Sequence, residues 1–210
     1  MRALQVTIVV LVVIVILTTV IPAQAKSMRW QQGKLLGVPF YPTPNQGGLM
    51  PRKPRAIILH YTASTNLETT LRWLQSPLAS VSAHFLIDQK GNVFQLVGCD
   101  EVAWHAGVSE WKGISNLNDD SIGIELLNAG RIENGEIGGK DVALAFHKNG
   151  GNEAYWERYP AAQLKACREL IKAIRKQYPT IQDVIGHDDV SPGRKIDPGP
   201  LLPGSLYDYS

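Results

Sequence analysis

The sequence is short of cysteine, of charge excess and of internal repetition, and each shortage excludes a class of protein. Cys99 and Cys167 are the only two cysteines in 210 residues, too few for a cysteine-rich zinc site. Charged residues make up 19%, and 21 Lys and Arg stand against 19 Asp and Glu, a formal charge of +2. Phosphate binding draws on a concentrated positive excess, so nucleic acid is not the expected partner. No collagen-like or heptad pattern is present, nor a longer period of about 20–50 residues, which argues against repeat architectures. What is plentiful is apolar surface. Hydrophobic residues make up 44%, enough for a packed core, and the length suits one domain and not comfortably two.

One long hydrophobic run occurs, Val6 to Ile21, preceded by the single charge of Arg2. Pro22 breaks it, and Ala23-Gln24-Ala25 supplies the small-x-small pattern of a signal-peptidase site. Residues 1–25 are therefore expected to be a signal peptide, with Lys26 opening the mature protein. The alternative is an uncleaved membrane anchor, for which the run is a little short of the ~20 residues of a comfortable span. No cysteine stands at position 26, so no lipid anchor is expected and no stable membrane attachment after processing. Either way the domain works beyond the cytoplasmic membrane, periplasmic or extracellular. In an oxidising compartment Cys99 and Cys167 have two options: pairing, or existence as buried free thiols.

Periodicity divides the remainder into an extended lead-in (26–54), a main domain (55–203) and a short tail (204–210). Ala56-Ile57-Ile58-Leu59 reads as a strand buried on both faces. Thr65 and Glu68 have capping-box spacing ahead of Leu67, Leu71 and Leu74, and Pro77 closes that helix. Phe85–Ile87 and Val93–Leu96 flank a turn containing Gly91, a hairpin signal. Ser121 to Leu127 is a further strand. Residues 128–158 carry six glycines and little period, a loop region with at most short elements. Pro160 opens a helix whose Leu164, Cys167, Leu170, Ile171, Ile174 and Tyr178 form one apolar stripe. Ile181 to Ile185 is the last strand. Strands and helices interleave, so the fold expected is α/β, with a central sheet flanked by helices.

Chemistry gathers at strand ends. His60 ends the first buried strand and His187 the last, and Asp197 follows ten residues on in a Pro/Gly-rich stretch. Two histidines and an aspartate meet the ligand count of a catalytic zinc with one open position. Taken singly, each histidine reads more readily as a satisfied core residue, and Asp197 as a turn residue before proline. Lys195, two residues from Asp197 in extended chain, should point the same way. It reads as a solvated ion pair or as a group beside the metal. Glu125 interrupts an apolar strand, with Ile122, Ile124 and Leu126 on one face and Gly123, Glu125 and Leu127 on the other. His84 reads as a core histidine, and His147, in the long loop, as a surface residue. Trp73, Trp111 and Trp156 suit core or groove equally.

Five ordered motifs then carry a resemblance: His60-Tyr61-Thr62-Ala63, Ser82-Ala83-His84-Phe85-Leu86-Ile87, Trp104-His105-Ala106-Gly107, Ser121-Ile122-Gly123-Ile124-Glu125, and Gly186-His187 with Lys195-Ile196-Asp197-Pro198-Gly199-Pro200. Together they resemble the zinc-dependent N-acetylmuramoyl-L-alanine amidases of the amidase-2 type, relatives of the peptidoglycan recognition proteins, and most the cell-envelope branch. The resemblance spans roughly Arg55 to Pro203. It implies a single domain around a mixed central sheet, and Zn²⁺ held by His60, His187 and Asp197. It also implies Glu125 as general base and acid, and Lys195 as the cation that meets an oxyanion. His105 is a candidate for touching substrate. The substrate implied is peptidoglycan or its muropeptide fragments, cut between N-acetylmuramic acid and L-alanine. A binding module without catalysis and a membrane-tethered phage-type lysis amidase are the alternatives. The sequence departs from the branch in lacking a lipidated cysteine and in the length of 128–158.

Overall fold

In the computed structural model the described residues are 28–132 and 138–209; the leader expected at 1–25 lies outside them. The apolar run that begins at Ala56 forms β1, Ala56–Tyr61, with every residue but the last buried. Helix α1, Leu67–Gln75, buries Leu71 and Leu74 as their spacing predicts. Its cap is Asn66 and not Thr65: the Asn66 side chain accepts the Thr69 N–H at 2.9 Å, and no Thr65–Glu68 box forms. The expected hairpin is β2, Phe85–Ile87, and β3, Val93–Gln95. Strand β4 is Ser121–Leu126.

The glycine-rich stretch holds more order than its composition suggests. Val142–Ala145 (β5) and Ala154–Glu157 (β6) pair antiparallel as a two-stranded hairpin. The apolar stripe after Pro160 is α2, Ala161–Gln177. Strand β7, Asp183–Gly186, starts later than the run from Ile181, and His187 opens a one-turn helix, α3, His187–Val190. In the lead-in, Trp30–Gln31 pairs with Lys34–Leu35 and Gln46–Leu49 with Glu101–Ala103, so this segment is strapped to the domain.

The central sheet has the order β7-β1-β4-β2-β3, parallel except for the β2–β3 hairpin. Alternation sends Ile57, Leu59, Ile122, Ile124, Leu126, Phe85 and Ile87 to one face, where α2 covers them with Cys167, Leu170, Ile171 and Ile174. On the other face Leu86 packs with Leu71 and Leu74 of α1, while Ile58 and Ile185 pack with Ala106, Leu117 and Val190. Both faces are thus buried, as parallel strands require. Cys99 and Cys167 are both free, buried thiols. Burial pushes Cys167 up to about 12, so neither thiol is set up as a thiolate nucleophile.

Candidate active site

Parallel sheets place ligands beyond the carboxyl ends of their strands. Three neighbouring strands end here together. His60 and Glu125 are register partners on β1 and β4, and His187 follows β7 directly. Asp197 arrives on the stretch after α3, tied back by the Asp188 N–H donating to the Asp197 carbonyl at 2.8 Å.

The three expected metal ligands converge. His60 Nδ1 lies 2.9 Å from His187 Nδ1 and 3.0 Å from Asp197 Oδ2, and His187 Nδ1 lies 2.9 Å from the same oxygen. All three residues are buried. Tetrahedral zinc with ligands at about 2.0–2.1 Å needs donor atoms roughly 3.3 Å apart. The triangle is within a few tenths of that edge, and two imidazoles with one carboxylate are a donor set zinc favours.

The outer contacts decide which nitrogens carry protons. His187 Nε2 donates to the Ala106 carbonyl at 3.0 Å, which leaves its Nδ1 lone pair facing the centre. Behind His60 a directed chain does the same. The Ser121 hydroxyl donates to the Leu117 carbonyl at 2.5 Å and accepts from His105 Nε2 at 3.4 Å. His105 Nδ1 is then an acceptor, 3.1 Å from His60 Nε2, so His60 also keeps its Nδ1 lone pair for the centre. Two lone pairs and a carboxylate oxygen aimed at one point repel each other unless a cation joins them. The residues fit the metal that the resemblance implies.

Gly123 is the reason this chain fits behind the sheet. A Cβ there would meet the His105 ring at 2.5 Å. His84 completes the stack: its Nδ1 accepts the Gly123 N–H and its Nε2 donates to the Glu101 carbonyl. Burial holds His60 and His84 down to about 4, the neighbouring His187 adding to the effect on His60, and keeps His105 well below its usual range.

Glu125 and Lys195 line the same cleft, of about 360 Å³, with His60, His105, His187 and Asp197. Glu125 Oε2 is buried with no hydrogen-bond partner among the described residues. Burial, reinforced by the Asp197 charge and opposed by Lys195, raises Glu125 to about 8. A carboxyl poised near neutrality beside a cation suits proton transfer. The cleft therefore brings together all six residues singled out from the sequence.

Two features escaped sequence reasoning. His147 is not a surface residue but buried, bonded through Nε2 to Asp188 Oδ2 at 2.9 Å. Arg194, next to Lys195 but not singled out, donates to the Ala106 carbonyl that also receives His187. Of the tryptophans, Trp73 is exposed, Trp111 half-buried and Trp156 buried.

Fold and site define an α/β protein with two histidines and an aspartate, a set that could hold a metal ion, at the carboxyl edge of its parallel strands. The family model described as N-acetylmuramoyl-L-alanine amidase matches residues 50–200, and the chain belongs to that family. It is 36% identical over 157 residues to the N-acetylmuramoyl-L-alanine amidase AmiD of Escherichia coli K12, covering 71% of this chain and 50% of the relative. It is 39% identical over 129 residues to the 1,6-anhydro-N-acetylmuramyl-L-alanine amidase AmpD of Haemophilus influenzae, covering 60% and 56%. The chain thus spans about half the length of these curated relatives. A solved complex of Escherichia coli AmiD with the substrate anhydro-N-acetylmuramic acid-L-Ala-D-gamma-Glu-L-Lys superposes with a TM-score of 0.59 at 32% identity, over 86% of this chain and 65% of that one. A selenomethionine AmpD crystal structure gives a TM-score of 0.66 at 27% identity, over 85% and 97%.

Proposed function

We propose that this chain is an exported zinc amidase that hydrolyses the amide between the lactyl group of N-acetylmuramic acid and L-alanine, in peptidoglycan or its muropeptide fragments. The observation that carries the reading is the convergence of His60, His187 and Asp197 in the cleft that also holds Glu125 and Lys195. The activities named for AmiD and AmpD, and the substrate in the AmiD complex, supply the bond. Export rests on the apolar run and Ala23-Gln24-Ala25 motif alone.

When bound, zinc supplies Lewis acidity, making water a nucleophile at neutral pH and polarising a carbonyl. The protein does the rest. His60, His187 and Asp197 would hold the ion, with Ala106 and the His105–Ser121 chain fixing the tautomer of each imidazole. Glu125 takes a proton from the attacking water as the new C–O bond forms, then delivers it to the alanine nitrogen as the C–N bond breaks. Lys195 sets its ammonium where the carbonyl oxygen gathers negative charge. The products are a lactyl carboxylate and a stem peptide with a free amino terminus.

The test is to incubate zinc-loaded protein with a defined anhydromuramyl peptide and with intact peptidoglycan, and to identify products by mass. Release of the stem peptide from the muramyl group is expected. Binding of both substrates without any cleavage would make the chain a recognition module instead.

A further inference from the structure

The segment 128–158 has no part in the chemistry above, yet its described residues grip the two stretches that carry His187 and Asp197. We propose that the β5–β6 hairpin is a brace that fixes the geometry of the metal centre, with His147 as its central positioning residue; this rests on the metal reading above. The Asn149 N–H donates to His147 Nδ1 at 3.1 Å, so His147 carries its proton on Nε2 and donates it to Asp188 Oδ2 at 2.9 Å. The Asn149 side chain donates to the Asp188 carbonyl at 2.8 Å. Lys148 pairs with Asp188 Oδ1 at 2.9 Å and with Asp189 Oδ1 at 2.6 Å. Three consecutive residues thus clamp the start of α3.

Asp188 is the point at which both ligands are held. It follows His187 directly, and its N–H donates to the Asp197 carbonyl. Its Oδ1 lies over Gly186, where a Cβ would come within 2.2 Å, so the residue before His187 must be glycine for this carboxylate to sit inward. The hairpin reaches the second stretch as well. The Trp156 ring stacks on His147 at 5.8 Å and 27° and lies against Gly199, and just beyond β6 the Tyr159 hydroxyl donates to the Pro198 carbonyl at 2.7 Å. A hairpin that served only to cover surface would not need a buried histidine and aspartate at its inner edge.

Outer contacts of this kind change metal affinity by about 10–100-fold when removed. The test measures zinc affinity by chelator competition, and apo-protein melting, for the wild type, His147→Ala, His147→Gln and Asn149→Ala. Asn149 is exposed, so its variant folds whatever happens to His147. Weaker zinc binding by ~10-fold or more is expected for His147→Ala, with a smaller loss for Asn149→Ala. His147→Gln keeps an N–H near the Nε2 position and should recover most of the affinity. A merely structural hairpin would lower melting in these variants and leave the zinc affinity of the folded protein unchanged, and that result overturns the brace. A wild type that binds no zinc would instead remove the metal reading on which the brace depends.

Discussion

At the scale of single residues, the proposed function divides the labour of the cleft between holding and reacting. Glu125 and Lys195 are assigned to the transition state alone, so removing either should lower turnover with little effect on zinc content or Michaelis constant. Glu125→Gln keeps the shape and deletes the base, and turnover should fall by ~10²-fold or more. Lys195→Met keeps the stem and deletes the charge, with a loss of ~10²–10³-fold. Near-normal turnover of zinc-loaded Glu125→Gln would assign the proton to another group. His187→Ala belongs to the holding set: metal analysis should find most of its zinc gone, and a full complement would remove His187 from the centre. Glu125 and His187 stood out in the sequence because one interrupts an apolar strand and the other follows one, whereas Lys195 stood out only by its spacing from Asp197 and through the resemblance. His147 did not, because its meaning lies in Asp188, 41 positions away in a separate segment. The His60–His105–Ser121 chain was hidden for the same reason: its members share a place only after β1 and β4 pair.

At the scale of elements, periodicity located β1, α1, the β2–β3 hairpin, β4 and α2, and blurred their ends. The start of α1 shows why. Thr65 has the spacing of a capping box with Glu68, but an asparagine one residue later makes the better cap, its carbonyl oxygen accepting the Thr69 N–H with extended backbone at Asn66. Asn66→Ala should therefore destabilise the protein by about 1 kcal/mol in denaturant unfolding, while Thr65→Ala changes it little. Equal losses for the two variants would restore the capping box. The β5–β6 hairpin fits the short elements allowed for 128–158, but its strands were not located, on other grounds. Its strands lie outside the central sheet and bury only two of their eight residues, so no buried stripe marks them. Trp156 and Glu157 are the exceptions, and the burial of Trp156 comes from His147 and Gly199, contacts no local pattern foretells.

At the scale of the whole molecule, the face of the sheet that carries the cleft buries a set of titratable groups that pull stability in opposite directions with pH. His84 is held neutral, down to about 4 from 6.5, by burial between the Gly123 N–H and the Glu101 carbonyl. His60 and His105 are displaced the same way. A histidine with a depressed folded pKa contributes stability that is present above its unfolded value and lost as pH falls toward the folded one. Metal-free protein should therefore weaken steadily from pH 6.5 down to about 4. Glu125 runs the other way. Its carboxyl is raised by burial from 4.5 to about 8, so the folded state holds a proton that the unfolded chain releases, and stability drains as pH rises across that window. Asp188, also raised by burial, adds to this drain at its acidic end. Below 6.5 the three histidines outnumber the two carboxyls. Above 6.5 only Glu125 is still titrating among these groups, so the metal-free protein should be most stable near pH 6.5 and lose stability toward pH 8. Denaturant unfolding of chelator-treated protein across pH 4 to 8 measures the profile. Glu125→Gln should flatten the alkaline arm and leave the acid arm in place, since glutamine has no proton to lose. An alkaline arm unchanged in that variant would place the titrating group elsewhere, and with it the buried acid on which the proposed proton transfer relies.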